Sequence, residues 1–423
     1  MTYEFEYLMH LLGAASLGTH AQAPRQSVNW RKIFQMADDQ MLTPLICDVL
    51  VADTALGYPV KGVLVKAEEA TVKAMKECAK RLMIIDLLAD MEKAGIGCIM
   101  VKGSVAAMNY AKPEKRFSTD TDIVVDPADE ERACAFLRQR GFHVTDRWQN
   151  GHHASTQHDA MGVLEVHVRL YDEIVEDVWF GQIDPASFIQ EPYQQIRTAE
   201  GLCNTLGDTD HLIFIILHMI KHFITAGMCL RMMMDTALFF KKRREKLDID
   251  RIWSVVRQLN YDKLLSAILW TTVRYCGMNP EDLPGIGPEE PELVGMIVSD
   301  LENGGFMGNQ DYDVRAESSY EYNRQLLMKD KSKWQYRLYM LRWKHGFKLA
   351  TIFPGKRRLA PRYPYVVKHP WLIPFAWVHR WVTRGWAMIF KKELSSKIVM
   401  DEKKVAQEAK ERVEMFRCLG MME

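Results

Sequence analysis

The sequence predicts an α+β protein, with a small mixed-sheet core between helical N-terminal and C-terminal flanks. Three observations predict it. Residues 64–95 and 210–278 repeat their apolar residues at three- and four-residue spacing, the period of an amphipathic or buried helix. Between them, short apolar runs are broken by Gly and Pro. One run, VLEVHVRL (163–170), alternates strictly: Leu164, Val166, Val168 and Leu170 take one face, and Glu165, His167 and Arg169 the other.

Taken in order, residues 1–95 read as helices, the last of them stopping at Gly95. CIMVK (98–102) is a short strand, and Gly103-Ser104 opens a short helix, SVAAMNY. Pro113 and its charged neighbours form a loop, and DIVV (122–125) is a second strand. Pro127 starts a helix with acidic residues in its first turn, as the macrodipole prefers, and Gly141 closes it. HVTDRW (143–148) is a looser strand, followed by the clean strand at 163–170. From Asp210 to about Met278 the chain returns to helix. NPEDLPGIGPEEPE (279–292) is a loop or boundary, and residues 301–330 carry too little pattern to assign. The organisation is thus an N-terminal helical region (1–95), an α+β core (96–200), a helical domain (201–280), an acidic Gly/Pro linker region (281–330) and a basic, Trp-rich helical tail (331–423).

A chain of 423 residues is long enough for two or three domains. Its formal net charge of zero excludes a generic nucleic-acid coat, yet residues 331–400 hold sixteen Lys or Arg against one acid, Glu393. The eight cysteines form no C-x-x-C pair and sit in apolar surroundings, which argues against structural zinc and against a disulfide framework. The start, MTYEFEYLMHLL, lacks the basic-then-apolar order of a secretory signal, and with free thiols the expected compartment is the cytoplasm. HLIFIILHMIKHFITAGMCL (211–230) is broken by His218, Lys221 and His222, and WLIPFAWVHRWVTRGWAMIF (371–390) by Pro374, Arg380 and Arg384. Each charge at a bilayer centre costs roughly 3 kcal/mol, so neither is expected to span; the second could lie on a membrane surface.

The chemistry concentrates at Asp120 and Asp122. If that segment is extended, the two carboxylates share a face, and Glu165 can join them if its strand is a neighbour. Three clustered acids resist common ionisation, and a divalent cation removes the conflict. Oxygen-only ligation suits Mg2+, whose remaining ligands come from water and substrate phosphates. The glycine of the Gly103-Ser104 turn lets backbone approach a phosphate, and Ser104 can cap the helix or donate to a phosphate oxygen. Lys102 and Arg116 bring positive charge to a triphosphate. A Gly-Ser turn or a D-x-D alone is weak evidence; the ordered set of strand, Gly-Ser, helix, D-x-D and a later acid on an alternating strand is what rises above background. His152, His153 and His158 lack tight metal-ligand spacing.

In that set the sequence resembles the uncharacterised nucleotidyltransferase family of the DNA polymerase β-like superfamily. The resemblance rests on VKGSVAAMNY, Arg116, STDTDIVV, the helix ending in RGF, and LEVHVRL. It continues through HMIKHFITAGMCLRMMMDTALFF and into YPYVVKHPWLIPFAWVHRW. It implies a nucleotidyltransferase-like core, phosphate held at Gly103 and Ser104, and Asp120, Asp122 and Glu165 as the catalytic and metal-binding triad. It also implies that the helical domain covers the cleft, so that Lys221 or Arg231 would contact the nucleotide or its acceptor. The residues themselves equally allow an Arg231–Asp235 salt link and a packed His218–His222 pair, each one helical turn apart. Two departures stand out: the Lys-Gly form of the first motif, and glutamate at 165 where the subfamily more often has aspartate.

The expected activity is Mg2+-dependent transfer of a nucleoside monophosphate from an NTP to a hydroxyl of an unidentified acceptor, with release of pyrophosphate. A small molecule or biosynthetic intermediate is the favoured acceptor. The basic, Trp-rich tail would suit RNA, an acidic partner or a peripheral membrane contact. The rival readings are a nucleotide-binding or scaffold protein with a weakened site, and a metal-dependent phosphohydrolase.

Overall fold

A computed structural model of the chain describes residues 1–52, 56, 60–118, 120–144, 153–171, 185–198, 201–304, 311–330, 365, 369–379 and 402–422. The chain divides into two compact units, Met1–Ser319 with Glu414–Glu423, and Tyr320–Val413.

The first unit opens with helices α1 (Tyr3–Leu17), α2 (Trp30–Asp39), α3 (Thr43–Ala52) and α4 (Val60–Lys93). The Asn29 side chain caps α2 by accepting from the Lys32 N–H, and Gly95 takes the left-handed conformation just beyond α4. Strand β1 (Cys98–Val101) follows, then helix α5 (Gly103–Ala107), strand β2 (Asp120–Val125), helix α6 (Glu130–Gln139), and strands β3 (His143–Val144), β4 (His153–His158) and β5 (Gly162–His167). Two short strands, β6 (Gln194–Arg197) and β7 (Leu202–Thr205), pair with each other. Helices α7 (Asp208–Thr225), α8 (Leu230–Arg243), α9 (Ile249–Gln258), α10 (Asp262–Cys276) and α11 (Pro291–Gly304) complete the unit with the first part of α12 (Tyr312–Asp330). Helices α1 and α10 meet at backbone distance: a Cβ on Gly13 would lie 2.0 Å from the Cys276 carbonyl oxygen, so only glycine fits there.

The sheet is mixed, in the order β1-β2-β5-β4-β3, with β2 and β5 parallel and the other pairs antiparallel. Its face is decided by alternation. Ile123, Val125, Leu164 and Val166 pack with Cys98 and Met100 against Ile84, Leu88 and Met91 of α4 and Ala133 and Leu137 of α6. Burying each such aliphatic side chain contributes about 1.5–3 kcal/mol, so the strands cannot turn over without losing that whole layer. Asp120, Asp122, Glu165 and His167 are thereby committed to the opposite face. This is the α+β, nucleotidyltransferase-like fold.

Several elements differ from the sequence expectation. The second strand begins at Asp120, not Asp122, which puts both aspartates in the ladder. The alternating strand ends at His167, and Val168–Leu170 bend away. Strands β6 and β7 had no sequence signal, because their four-residue runs are mostly polar. The unpatterned stretch at 301–330 contains a 19-residue helix, α12. It is tied to α11 by the buried Arg315, which reaches Asp300 at 3.0 Å and Asp311 at 2.5 Å.

In the second unit, Tyr365, Ile373 and Trp377 pack on the buried Ala376, while Trp371 and Phe375 are exposed. The basic tail falls largely outside the described residues, as do His152 and the part of HVTDRW beyond Val144. All eight cysteines are free thiols. Among the described residues, no helix is long and apolar enough to cross a membrane.

Candidate functional site

The site is built by the parallel pairing of β2 and β5. Their register sets Asp122 directly beside Glu165, and Val124 beside His167. Paired residues of adjacent strands point to the same side, so the Asp122 and Glu165 carboxylates converge, and the His167 imidazole leans back onto both. Its Nε2 lies 2.8 Å from Asp122 Oδ1 and 3.4 Å from Glu165 Oε2. One donor atom from each of the three residues falls within 4.8 Å of the others, a spacing that a single divalent cation can bridge. Asp120 shares the face two residues earlier, beside Val163, and accepts from the Ser118 hydroxyl at 3.2 Å. It is not part of the close cluster. His167 therefore joins Asp122 and Glu165 in the group whose donor atoms could hold a metal ion, with Asp120 next to it on the strand.

Lys102 and Gly103 form the turn that closes this patch. Lys102 has φ +59° and ψ −124°, a conformation that costs a residue with a Cβ on the order of 1–3 kcal/mol and persists only where neighbours hold it. Its backbone N–H donates to His211 Nε2 at 3.0 Å. His211 Nδ1 in turn meets Thr205 Oγ1 at 3.2 Å, and that hydroxyl donates to the Met100 carbonyl at 2.6 Å. Because the Thr205 proton is used on Met100, the N–H of His211 must sit on Nδ1, which leaves Nε2 free to accept. Burial holds His211 neutral by lowering its pKa to about 3. The turn aims the Lys102 ammonium at Asp122 Oδ1, 2.6 Å away. Burial alone would raise the Asp122 carboxyl, but Lys102 and His167 outweigh it and hold the group below the usual carboxylate range. Ser104 sits at the second position of α5 and does not cap it; Lys102 occupies the cap position.

Gly103 is required sterically, since a Cβ would lie 2.7 Å from Arg116 Nη1 and 2.9 Å from Ser118 Oγ. Arg116 forks onto Asp235 of α8, with Nε 3.1 Å from Oδ1 and Nη2 on Oδ2. Both partners are buried, and Asp235 raises the guanidinium pKa against the effect of burial. The Arg231–Asp235 link allowed by spacing thus gives way to Arg116–Asp235. Arg231 instead donates Nη1 to the Phe117 carbonyl, and Tyr110 donates to the Arg231 carbonyl at 3.5 Å. Arg116 and Arg231 together tie the loop before β2 to α8.

Helix α7 crosses above the patch. The Lys102 ammonium lies 6.0 Å from the centre of the Phe214 ring, and His218 and His222 bring their Nε2 atoms to 3.1 Å. At that distance one imidazole donates and the other accepts. Burial first, then Lys221 and Lys102, lower His222 to about 3, and His218 is lowered for the same first reason. His222 Nδ1 is buried with no hydrogen-bond partner among the described residues. Lys221 is half-buried on the same helix. A cavity of about 780 Å³ opens at the carboxyl ends of β2 and β5, lined by Val124, Asp126, Val168, Arg169 and Tyr193. His167 is the residue that sequence reasoning did not select, although alternation had already placed it on the face of Glu165.

A mixed sheet with helices packed on it, a glycine turn after the first strand, and acids on two parallel strands define a nucleotidyltransferase-like protein. The profile of the family described as "Uncharacterised nucleotidyltransferase" matches residues 26–277, well over half of the chain. The chain belongs to that family, within the DNA polymerase β-like nucleotidyltransferase superfamily. No curated protein and no solved structure matches it.

Proposed function

We propose that the protein transfers a nucleoside monophosphate from an NTP to a hydroxyl group of a second substrate. The new bond joins the acceptor oxygen to the α-phosphorus, the α–β phosphoanhydride bond breaks, and pyrophosphate leaves with its electron pair. The observation that carries this reading is the register of Asp122 with Glu165 on adjacent parallel strands, directly below the Lys102-Gly103 turn. Asp122, Glu165 and His167 would hold a divalent cation, with Asp120 alongside. Such an ion, when bound, neutralises phosphate charge and lowers the pKa of a hydroxyl.

The chain's own groups do the remaining work. Lys102, released from Asp122, presents its ammonium to the triphosphate, and Gly103 leaves backbone open to a phosphate oxygen. Ser104, at the second position of α5, offers a hydroxyl there. Glu165 would take the acceptor proton. Arg116 and Arg231 contribute by fixing the loop that positions Asp120 and Asp122. A cytoplasmic setting fits eight free thiols.

The test is pyrophosphate release from each NTP over a panel of hydroxyl-bearing acceptors, with wild type, Asp122→Asn and Asp120→Asn. Release that is lost in folded Asp122→Asn supports the reading, and an unchanged rate sinks it. One observation favours a second reading, nucleotide binding without turnover: the Lys102 ammonium pairs with Asp122 Oδ1 at 2.6 Å. Tight NTP binding without pyrophosphate from any acceptor would select that reading, and orthophosphate as product would select hydrolysis.

A further inference from the structure

We infer that the cation held between β2 and β5 is a nitrogen-accepting divalent ion of the manganese, cobalt or zinc type in preference to magnesium, with His167 as its imidazole ligand. The inference deepens the proposed transfer reaction and rests on the metal role given there to Asp122 and Glu165.

The geometry is that of a ligand set. The separations of 2.8 Å and 3.4 Å from His167 Nε2 to the two carboxylates match the spacing of neighbouring donors around an ion whose bonds to nitrogen and oxygen are about 2.0–2.2 Å. His167 is buried, and the β2–β5–β4 ladder fixes its backbone so that the imidazole projects from the same face as the two carboxylates. Magnesium takes oxygen ligands and keeps its waters, whereas imidazole suits the later first-row metals. Two carboxylates and one imidazole leave open positions for phosphate and acceptor oxygens, as a catalytic centre needs.

Lys102 supplies a second, independent part of the argument. Its ammonium rests on the same Asp122 oxygen as His167, at 2.6 Å, and a strained backbone turn holds it there. The lysine thus stands in for the cation's charge and competes with it for Asp122. Loading the ion must displace Lys102, and the displaced ammonium then faces the space where a triphosphate would lie. Metal affinity and the position of Lys102 are therefore linked.

The experiment uses the full chain, stripped of metal and titrated with Mn2+. Free Mn2+ is followed by electron paramagnetic resonance, and bound Mn2+ by spin-echo modulation from coordinated imidazole nitrogen. We expect one Mn2+ per chain, nitrogen modulation that is lost in His167→Gln, and at least tenfold weaker Mn2+ binding in that variant. Mg2+ should compete at least 100-fold less well than Mn2+. Lys102→Met should bind Mn2+ at least threefold more tightly than wild type.

Bound Mn2+ without nitrogen modulation, no Mn2+ binding, or Mg2+ displacing Mn2+ at equal concentration would each overturn the inference. So would modulation that persists in folded His167→Gln. Should that variant fail to fold, His218→Gln/His222→Gln makes the same distinction, because modulation must survive in it. Pyrophosphate release is measured on the same preparations. Release with Mg2+ and no nitrogen ligation defeats this inference alone; nitrogen ligation with no pyrophosphate from any NTP and acceptor defeats the transfer reaction alone.

Discussion

Among the buried aspartates of this protein, Asp235 and Asp122 each pair with a cationic side chain, and they do so in opposite ways. Asp235 receives the planar fork of Arg116 at both oxygens, and both partners are sealed from solvent. Asp122 receives a single ammonium on one oxygen, shares that oxygen with His167, and has Glu165 beside it. The Lys102 side chain keeps a path to water, with 16% of its surface exposed. The bidentate buried pair clamps the loop to α8. A one-point pair among other donors is exchangeable. That contrast separates scaffold from site more sharply than charge or burial does, since both aspartates are almost equally buried.

The comparison can be broken at either end. The largest expected effect is on activity: Asp122→Asn should lower pyrophosphate release by a factor on the order of 10²–10³, as losing one preorganised charge at a reacting centre does. Its unfolding free energy should move by only about 1–2 kcal/mol, because the freed Lys102 can turn to solvent. Asp235→Ala should show the reverse. It leaves Arg116 buried and unpaired, at a cost of about 3–5 kcal/mol of stability in urea melts. If Asp122→Asn proved the more destabilising of the two, the division into clamp and site would fail.

Gly103→Ala comes next. The added methyl meets Arg116 Nη1 and Ser118 Oγ inside contact distance, and Arg116 cannot yield without loosening Asp235. A loss of about 1–3 kcal/mol is expected, measured by thermal or urea unfolding.

The pH dependence of stability should fall into two windows. The folded-state pKa of His211 is about 3, below an unfolded value of about 6.5. The unfolded chain therefore binds the extra proton first, and stability declines as pH falls from 6.5 toward 3, by up to about 1.4 kcal/mol per pH unit for this residue. The depressed Asp122 carboxyl contributes stability that is full above about pH 4 and lost only below it. Unfolding midpoints between pH 7 and 4 should slope less in His211→Gln, and Asp122→Asn should leave that window unchanged. The smallest effect is at the strained turn. Lys102→Gly should be more stable than Lys102→Ala by about 1 kcal/mol, since both lose the ammonium and only glycine accepts φ +59° freely.

Much of this was legible in the chain. The helix at 60–93, the turn at Gly103, the strand carrying Asp122 and the alternation through Glu165 follow from periodicities that each segment carries within itself. Alternation also placed His167 on the face of Glu165, yet nothing local distinguishes it from a core histidine. Helix α12 escaped notice because it is held by Arg315 reaching Asp300, a contact between residues 15 apart in the chain. Arg116 was expected at the phosphates because a free arginine near a glycine turn suits them, and its partner Asp235 lies 119 residues away.

The sequence by itself determined which segments are helix or strand and which acids share a strand face, because those properties repeat over two to four residues. Only the tertiary structure decided that β2 and β5 run parallel in a register joining Asp122 to Glu165, that His167 completes the set, and that Arg116 belongs to Asp235. The strand faces are fixed by burying the opposite side of the sheet against α4 and α6, and Arg116 by a partner on α8. That constraint acts between residues far apart in the chain, so no short window of residues contains it.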